Sequence, residues 1–261
     1  MKTGALITLI AAWVLLLAAA VWATDVQEHD PIRIEGNYQF TPANGVASGT
    51  GTVEDPYVIG GWQIDAGYGD YGIRIHGTTR YFVIRDVEVS GASKAGIFLS
   101  YVENALVEEC KLWGNWIGIV LNFCSLDRID QCTLTSNTEG IHFYFSSNNQ
   151  LLSTTFERND TALYFDASHD NDLIGNRFAE SQMAVYLDLG SQRNILYHNS
   201  FLSNLHNAHS VSTNFWDYKG KGNYWCDYTG LDTDGDGVGN TPYVIRSDGD
   251  RDNFPLISAP R

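Results

Sequence analysis

Residues 96–99 read Gly-Ile-Phe-Leu, and this frame of a small residue followed by apolar, variable and apolar positions returns every 22 residues. The small residues of the five copies are Gly96, Gly118, Gly140, Ala162 and Ala184. Alternation of apolar and variable positions is the two-residue period of a β-strand. A unit of 22 residues is too short for a strand, a helix and their connections, so each unit is one coil of short strands.

A single coil cannot bury its apolar side chains, so successive coils must stack in register and form parallel sheets. The repeat therefore predicts an all-β fold, a right-handed single-stranded parallel β-helix with coils of ~22 residues and irregular N- and C-terminal caps. A leucine-rich solenoid has repeats of similar length, but its Leu-x-x-Leu-x-Leu frame is absent from this sequence.

Polar residues also recur at the coil period. Asn115, Asn137 and Asn159 share one position, which Ser181 continues, and stacked amides of this kind form structural hydrogen-bonded ladders. A second column holds the residues Cys110, Cys132, Thr154 and Asn176. Stacked in-register cysteines rarely reach the dihedral angle of a disulfide, which favours two buried thiols over a bridge.

The chain divides into four segments. Residues 1–23 contain an apolar run that ends in Val-Trp-Ala, which predicts a secretory signal peptide or an uncleaved membrane anchor. Residues 24–71 are expected to form the N-terminal cap and first coils, residues 72–214 the regular coils, and residues 215–261 the C-terminal cap. The protein is therefore expected to be extracellular, at the cell surface or periplasmic, and to contact a membrane only through the first segment.

The chain is strongly acidic. It has 16 basic and 31 acidic residues, a net charge of −15, and loss of residues 1–23 removes only Lys2, which gives −16. Such a charge argues against nucleic acid or anionic lipid as a partner and favours cations. Self-association through the ends of the coils stays open, because unpaired strand edges can pair between molecules.

Two end segments carry a family resemblance. Residues 44–52 read Asn-Gly-Val-Ala-Ser-Gly-Thr-Gly-Thr, followed by Asp-Pro-Tyr-Val-Ile at 55–59. Residues 222–230 read Gly-Asn-Tyr-Trp-Cys-Asp-Tyr-Thr-Gly, followed by Thr-Pro-Tyr-Val-Ile at 241–245 and Asp-Asn-Phe-Pro-Leu at 252–256. With the coils between them, these segments resemble NosD-type, or carbohydrate-binding and sugar-hydrolase (CASH), β-helix proteins.

The NosD resemblance implies a periplasmic accessory role in copper-site assembly of nitrous oxide reductase. Copper sites favour clustered His, Met or Cys ligands. Beyond the signal segment the chain has one methionine, Met183, and its closest histidines are His206 and His209. The sequence therefore disfavours copper, and the same helix occurs in secreted proteins without that role.

The C-terminal segment contains an acidic loop. Asp232, Asp234 and Asp236 alternate and are followed by a glycine, as in the first half of an EF-hand calcium loop. Val238 and Asn240 occupy the next two ligand positions, but the terminal glutamate is absent. We therefore expect a calcium site that stabilises the cap, with Asp227, Asp248, Asp250 or Asp252 as candidates for the last ligand; a solvated turn is the alternative.

The outer face of the first sheet is the candidate binding surface. The variable position of the triplets and the position two residues later should both point to solvent. The first column contains Arg74, Phe98, Val120, His142, Tyr164 and Tyr186, and the second contains His76, Ser100, Asn122, Tyr144, Asp166 and Asp188. Aromatic rings beside carboxylates suit sugar rings, although aromatic residues also stabilise strands without any ligand.

These columns predict a binding module for an extended carbohydrate or cell-surface polymer, with His142, Tyr144, Tyr164, Tyr186, Asp166 and Asp188 as ligand-binding residues. A purely structural surface module is the other reading. A polysaccharide hydrolase, lyase or epimerase is an alternative, because Asp166 and Asp188 should stack at roughly 5 Å, the carboxyl separation of retaining glycosidases. Fold analogy alone does not establish such catalysis.

Overall fold

The computed structural model describes residues 26–247 and 249–260, so the predicted signal segment lies outside the described residues. The regular secondary structure of the described residues consists of β-strands and one 3₁₀ turn at Pro42–Asn44. Three parallel sheets run the length of a β-helix, which confirms the predicted fold class. The described residues include no helix with the length and apolar character that a bilayer crossing requires.

Sheet 1 carries the repeated triplets and has nine strands. They are Ile32–Glu35, Tyr71–Thr78, Ala95–Val102, Ile117–Asn122, Glu139–Tyr144, Thr161–Asp166, Met183–Leu187, His206–Ser210 and Arg246–Ser247. Ile97, Ile119, Ile141 and Leu163 pair in register at the predicted spacing of 22 residues. The spacing widens to 23 residues where Met183 pairs with His206.

Sheets 2 and 3 complete each coil. Sheet 2 consists of Val46–Ser48, Tyr57–Gly60, Phe82–Arg85, Ala105–Glu108, Arg128–Asp130, Gln150–Leu152, Asp172–Ile174 and Ile195–Tyr197, of which the first strand is antiparallel to the second. Sheet 3 consists of Gln27–Glu28, Trp62–Asp65, Glu88–Ser90, Lys111–Trp113, Thr133–Thr135, Thr155–Glu157, Arg177–Ala179, Ser200–Leu202 and Tyr224–Trp225. A short antiparallel pair, Tyr243–Val244 with Arg251–Asp252, lies in the C-terminal segment.

The core between the sheets is filled by stacked side chains. Phe143 and Phe165 lie with ring centroids 4.4 Å apart, and Phe156 stacks on Phe178 at 4.9 Å. The small residues of the repeat leave room for the next coil: a Cβ atom at Gly140 would lie 2.3 Å from the carbonyl oxygen of Ala162. The repeating small residue therefore reflects close approach of neighbouring backbones.

Buried amide side chains form hydrogen-bonded ladders that connect successive coils. In the predicted ladder, Asn137 Oδ1 accepts from the backbone N–H and Nδ2 of Asn115, and Asn137 Nδ2 donates to Asn159 Oδ1. Two further ladders bond in the same way. One comprises Asp127, Asn149, Asn171, Asn194 and Asn214, and the other comprises Thr154, Asn176, Asn199 and Asn223.

Two carboxylates, those of the half-buried Asp250 and the buried Asp252, end these ladders at the C-terminal side. Asp250 Oδ2 accepts from the backbone N–H of Asn214 at 3.0 Å, and Asp252 Oδ2 accepts from that of Asn223 at 2.7 Å. Asp252 also accepts from Trp225 Nε1 at 2.8 Å, and burial raises the pKa of Asp252 to about 6. The C-terminal segment thus closes the core and supplies the last strands of sheets 1 and 3.

The cysteines are free thiols. Cys110, Cys124 and Cys132 are buried and Cys226 is exposed. Burial raises the pKa of Cys110 and of Cys124. The stacked Cys110 and Cys132 are therefore two thiols, as the column geometry favoured.

Candidate functional site

The outer face of sheet 1 brings the predicted binding residues together. His142, Tyr164 and Tyr186 pair in register on three successive strands, and Tyr144 pairs with Asp166 on the second column. Asp188 follows the end of the next strand. Val120 and Ser100, which the alternation placed in solvent, are instead buried.

The half of this face nearer the C-terminus is a stack of rings beside a carboxylate. Tyr164 and Tyr186 have centroids 5.4 Å apart, and Tyr186 stacks on His209 at 4.7 Å. The Tyr164 hydroxyl donates to Asp188 Oδ2 at 3.2 Å. Burial, with the neighbouring Asp188 charge, raises the pKa of Tyr164 to about 12, so this hydroxyl stays protonated at neutral pH.

Asp188 is fixed from two sides, because its Oδ1 also accepts from the backbone N–H of Leu189 at 2.6 Å. Asp166, the other predicted catalytic candidate, lies half-buried on the preceding coil. Both carboxylates act on the Tyr164 hydroxyl electrostatically. Asp166 and Asp188 thus lie beside the Tyr164 hydroxyl. These three groups together can orient a sugar hydroxyl or serve in acid–base chemistry.

The other half of the face forms a shallow concavity of about 400 Å³. Its lining includes Tyr71, Phe98, Trp116, Val120, Asn122, His142 and Tyr144. The Trp116 side chain is 58% exposed and lies just before the strand Ile117–Asn122. An apolar, aromatic lining with a few polar groups is typical of small-molecule and sugar subsites.

The charged groups of this half are paired. Lys94 Nζ lies 2.8 Å from Asp70 Oδ2 and 5.7 Å from the centroid of the Tyr71 ring. The Arg74 guanidinium contacts the Glu35 carboxylate. These two cations therefore already have acidic partners and offer less attraction to an anionic ligand.

His142 links the two halves of the face. Its Nδ1 lies 2.9 Å from Glu139 Oε2, and its ring packs edge-on against Tyr164 at a centroid distance of 4.7 Å. Its Nε2 is buried without a hydrogen-bond partner. The side chain thus lies between Glu139 and Tyr164.

Sequence reasoning missed Trp116, Tyr71, Lys94 and Glu139. Trp116 follows the ladder residue Asn115, and the equivalent positions one and two coils later hold a threonine and an aspartate. A search for periodic columns passes over such single residues. The available signal was an isolated tryptophan directly before a strand of the candidate face.

The acidic loop of the C-terminal segment forms a compact carboxylate cluster. One oxygen from each of Asp232, Asp234 and Asp236 lies within 4.8 Å of the others. Asp232 accepts from the backbone N–H groups of Gly235 and Gly237, at 2.7 and 3.0 Å, and these bonds lower the pKa of Asp232. Three adjacent carboxylate oxygens match the donor set that calcium prefers.

The remaining predicted calcium ligands are placed as follows. The Val238 N–H donates to Asp236 Oδ1, while Asn240 Oδ1 accepts from the backbone and hydroxyl of Thr233. Asn240 Nδ2 donates to Asp234. Val238 and Asn240 therefore shape the loop through hydrogen bonds.

The candidates for the last calcium ligand are engaged elsewhere. Asp227 accepts from Asn207 and Tyr243, and Asp250 and Asp252 end the ladders. Asp248 lies outside the described residues. Among the described residues, the carboxylate cluster therefore consists of three aspartates, Asp232, Asp234 and Asp236.

Copper does not fit this donor set. Within the described ranges, the one group of three or more His, Cys, Asp or Glu side chains close enough to share a metal is this all-carboxylate cluster. Carboxylate oxygens suit calcium or magnesium, whereas copper favours imidazole and sulfur ligands.

The fold and the face define a parallel β-helix protein with an aromatic, partly acidic sheet surface. A family model described as "Periplasmic copper-binding protein (NosD)" matches residues 25–182 and 71–230. These matches cover most of the chain, so the protein belongs to the NosD family.

Curated relatives match a smaller part. The "Probable ABC transporter binding protein NosD" of Pseudomonas aeruginosa and its namesake from Stutzerimonas stutzeri are each 38% identical over 64 residues, or 24% of this chain. The match covers 15% of the length of either relative.

Among solved structures, a crystal structure of the periplasmic alginate epimerase AlgG is similar with a TM-score of 0.51 and 22% sequence identity. The similarity covers 60% of this chain and 44% of the epimerase. At this identity it supports the β-helix fold alone.

Proposed function

We propose that the protein is a periplasmic or extracellular β-helix module that binds an extended carbohydrate on the outer face of sheet 1. The observation that carries the proposal is the aromatic concavity around Trp116, which continues through His142 to the stacked Tyr164 and Tyr186. Flat rings flanked by hydrogen-bonding groups can take sugar rings one after another. The family description, which places NosD in the periplasm, supports the location.

The test compares glycan affinity between matched tryptophan variants. Trp116→Ala removes the most exposed ring of the concavity, and we expect binding to weaken about tenfold, the loss of one aromatic stacking contact. Trp113→Ala is the control, because Trp113 is exposed at the end of a sheet 3 strand. Titration calorimetry measures both; equal affinities for the two variants would contradict the proposed face.

The second half of the face is tested separately. Tyr164→Ala removes both the stack with Tyr186 and the hydrogen bond to Asp188. We expect weaker binding of long glycans and little change for short ones that fill the concavity alone. A protein with no glycan affinity in any form would be a structural surface module instead.

Catalysis is a second candidate function, supported by Asp188 beside the protonated Tyr164 and by Asp166 on the neighbouring coil. Asp188→Asn keeps the shape and removes the charge. If the protein cleaves, eliminates or epimerises a polysaccharide, this variant should lose turnover and stay folded. Unchanged turnover would exclude Asp188 from the chemistry.

We also propose that calcium binds Asp232, Asp234 and Asp236 and stabilises the C-terminal cap. The support is the clustering of three hard oxygen donors and the mutual repulsion that a cation would relieve. The copper role in the family description lacks comparable support among the described side chains.

A further inference from the structure

Three aromatic side chains form an exposed stack beside the candidate face. Tyr101, Phe123 and Phe145 occupy equivalent positions on successive coils, at the corner that follows or ends the strands of sheet 1. Their ring centroids are 5.0 and 5.1 Å apart, with planes within 11° of parallel. All three side chains are exposed to solvent, and Phe145 is 46% exposed.

The backbone at this corner does not favour aromatic residues. Tyr101, Phe123 and Phe145 have φ values of 51°, 52° and 47°, in the left-handed region where Asn, Asp and Gly are enriched and bulky residues are outliers. A corresponding left-handed column at another corner is polar, with Glu109, Gln131 and Ser153 among its members. Backbone geometry therefore does not explain the aromatic stack, which points to a role for its surface.

The stack is open at one end. On the next coil the equivalent residue is Ala167, also left-handed, with a φ of 45°. The face of Phe145 turned toward that coil therefore meets a methyl group in place of a ring. Tyr144 stands edge-on beside both Phe123 and Phe145, at centroid distances of 5.8 and 4.7 Å, and so flanks the stack on one side.

Tyr144 also makes the stack continuous with the concavity, which it lines. The chemistry around the stack disfavours an anionic ligand. Exposed Glu103 follows Tyr101 by two residues, and half-buried Asp166 precedes Ala167. Ser125 and Ser147 pair on successive coils, two residues after Phe123 and Phe145; Ser147 Oγ accepts from the backbone N–H of His169 at 3.2 Å and can still donate its own hydrogen to a sugar.

We propose that Tyr101, Phe123 and Phe145 form a second carbohydrate subsite, in which an uncharged sugar ring stacks on the open face of Phe145. A glycan held in the concavity would cross Tyr144 and end on this platform. The inference rests on the proposed carbohydrate binding, and it specifies neutral glycans over polyuronates.

The test uses three variants and three probes. Phe145→Asn removes the platform with a residue suited to the left-handed backbone. Leu126→Asn is the matched control, since Leu126 is 62% exposed with a φ of 59° and lies outside the stack. Trp116→Ala reports on the concavity, and the probes are cellohexaose, chitohexaose and hexamannuronate.

We expect a neutral hexasaccharide to bind the wild-type protein. Phe145→Asn should weaken this binding about fivefold to tenfold, and Leu126→Asn should leave the affinity within about twofold of wild type. If Trp116→Ala weakens binding and Phe145→Asn does not, the subsite is wrong and the proposed function stands. Binding of hexamannuronate alone overturns the neutral specificity. If no hexasaccharide binds, the subsite fails, and the Trp116 test with a wider range of glycans decides the proposed function.

A second measurement uses the wild-type protein and therefore does not depend on whether the Phe145 variant folds. In wild-type protein with labelled phenylalanine rings, a bound neutral hexasaccharide should shift the Phe145 ring resonances. Unshifted Phe145 resonances at saturation would overturn the subsite independently of any substitution.

Discussion

The amide ladder predicts a large, graded loss of stability from a single position. Asn137→Ala removes four side-chain hydrogen bonds: two accepted from Asn115, one donated to Leu112 O at 3.0 Å and one donated to Asn159. It also leaves the buried backbone N–H of Asn115 without its acceptor. At about 1 kcal/mol for each bond, the four bonds account for an expected loss of about 4 kcal/mol, to which the buried orphan donor adds.

Asn137→Ser is the matched variant, because the ladder already uses serine at Ser181. There the Oγ atom accepts from the backbone N–H of Asn159 at 3.2 Å and donates to Ala179 O. The same bonds at position 137 would keep the Asn115 N–H satisfied, so we expect a loss of about 2 kcal/mol.

Thermal and urea unfolding followed by far-UV circular dichroism measure both losses. For a chain of this size, about 4 kcal/mol corresponds to a fall in Tm of roughly 8–16 °C. A β-helix can unfold in segments, so the two transitions should first be shown to coincide. An Asn137→Ala protein within about 1 kcal/mol of wild type, or an equally damaged Asn137→Ser protein, would refute the structural role of the ladder.

Three further predictions concern the thiols and the C-terminal cap. In the native protein a thiol reagent should modify Cys226 alone and reach Cys110 and Cys124 only on unfolding, because burial encloses those two sulfurs and raises their pKa; rapid reaction of several thiols would contradict this packing. Folding raises the pKa of Asp252 from 3.8 to about 6, so the folded state binds the proton more tightly than the unfolded state. This group should therefore make the free energy of unfolding about 1 kcal/mol larger at pH 5 than at pH 7. Urea titrations should show that slope, and its persistence in Asp252→Asn would assign it to another group. Millimolar calcium should raise the Tm of wild type and not of Asp234→Ala, and an equal rise in both would exclude the acidic loop as the calcium site.

The sequence determined the coils because their constraint is periodic. The small residue at Gly140 and the amides at Asn115 and Asn137 recur wherever one coil contacts the next, so their spacing reveals the stacking. The ladder through Asn149 and Asn171 is equally periodic, so it too is readable from the sequence. The fold was therefore predictable almost in full.

The binding surface was predictable only in part. His142, Tyr144 and Tyr164 belong to columns, and the structure places them together on the face. Trp116 and Lys94 occur once, so their place in the concavity depends on how the turns before the strands fold. Hydrogen bonds such as that between Tyr164 and Asp188 depend on rotamers, which spacing does not specify.

The cap shows a different limit. The alternating aspartates at 232, 234 and 236 were recognised from spacing, and they do cluster. The roles of Asp250 and Asp252 as ladder ends cannot be recognised from spacing, because their partners lie 29 to 36 residues earlier in the chain. Only the folded backbone shows that these carboxylates complete the core.

A polysaccharide array probed with the purified protein, with and without calcium, tests directly whether the protein binds an extended carbohydrate. The same wells should be assayed for released reducing ends and for unsaturated products. We expect the protein to bind a subset of extended glycans, neutral ones foremost, with no product formed. Silence in every well would contradict it and leave the protein a structural module, whereas product formation would make Asp166 and Asp188 the residues to test next.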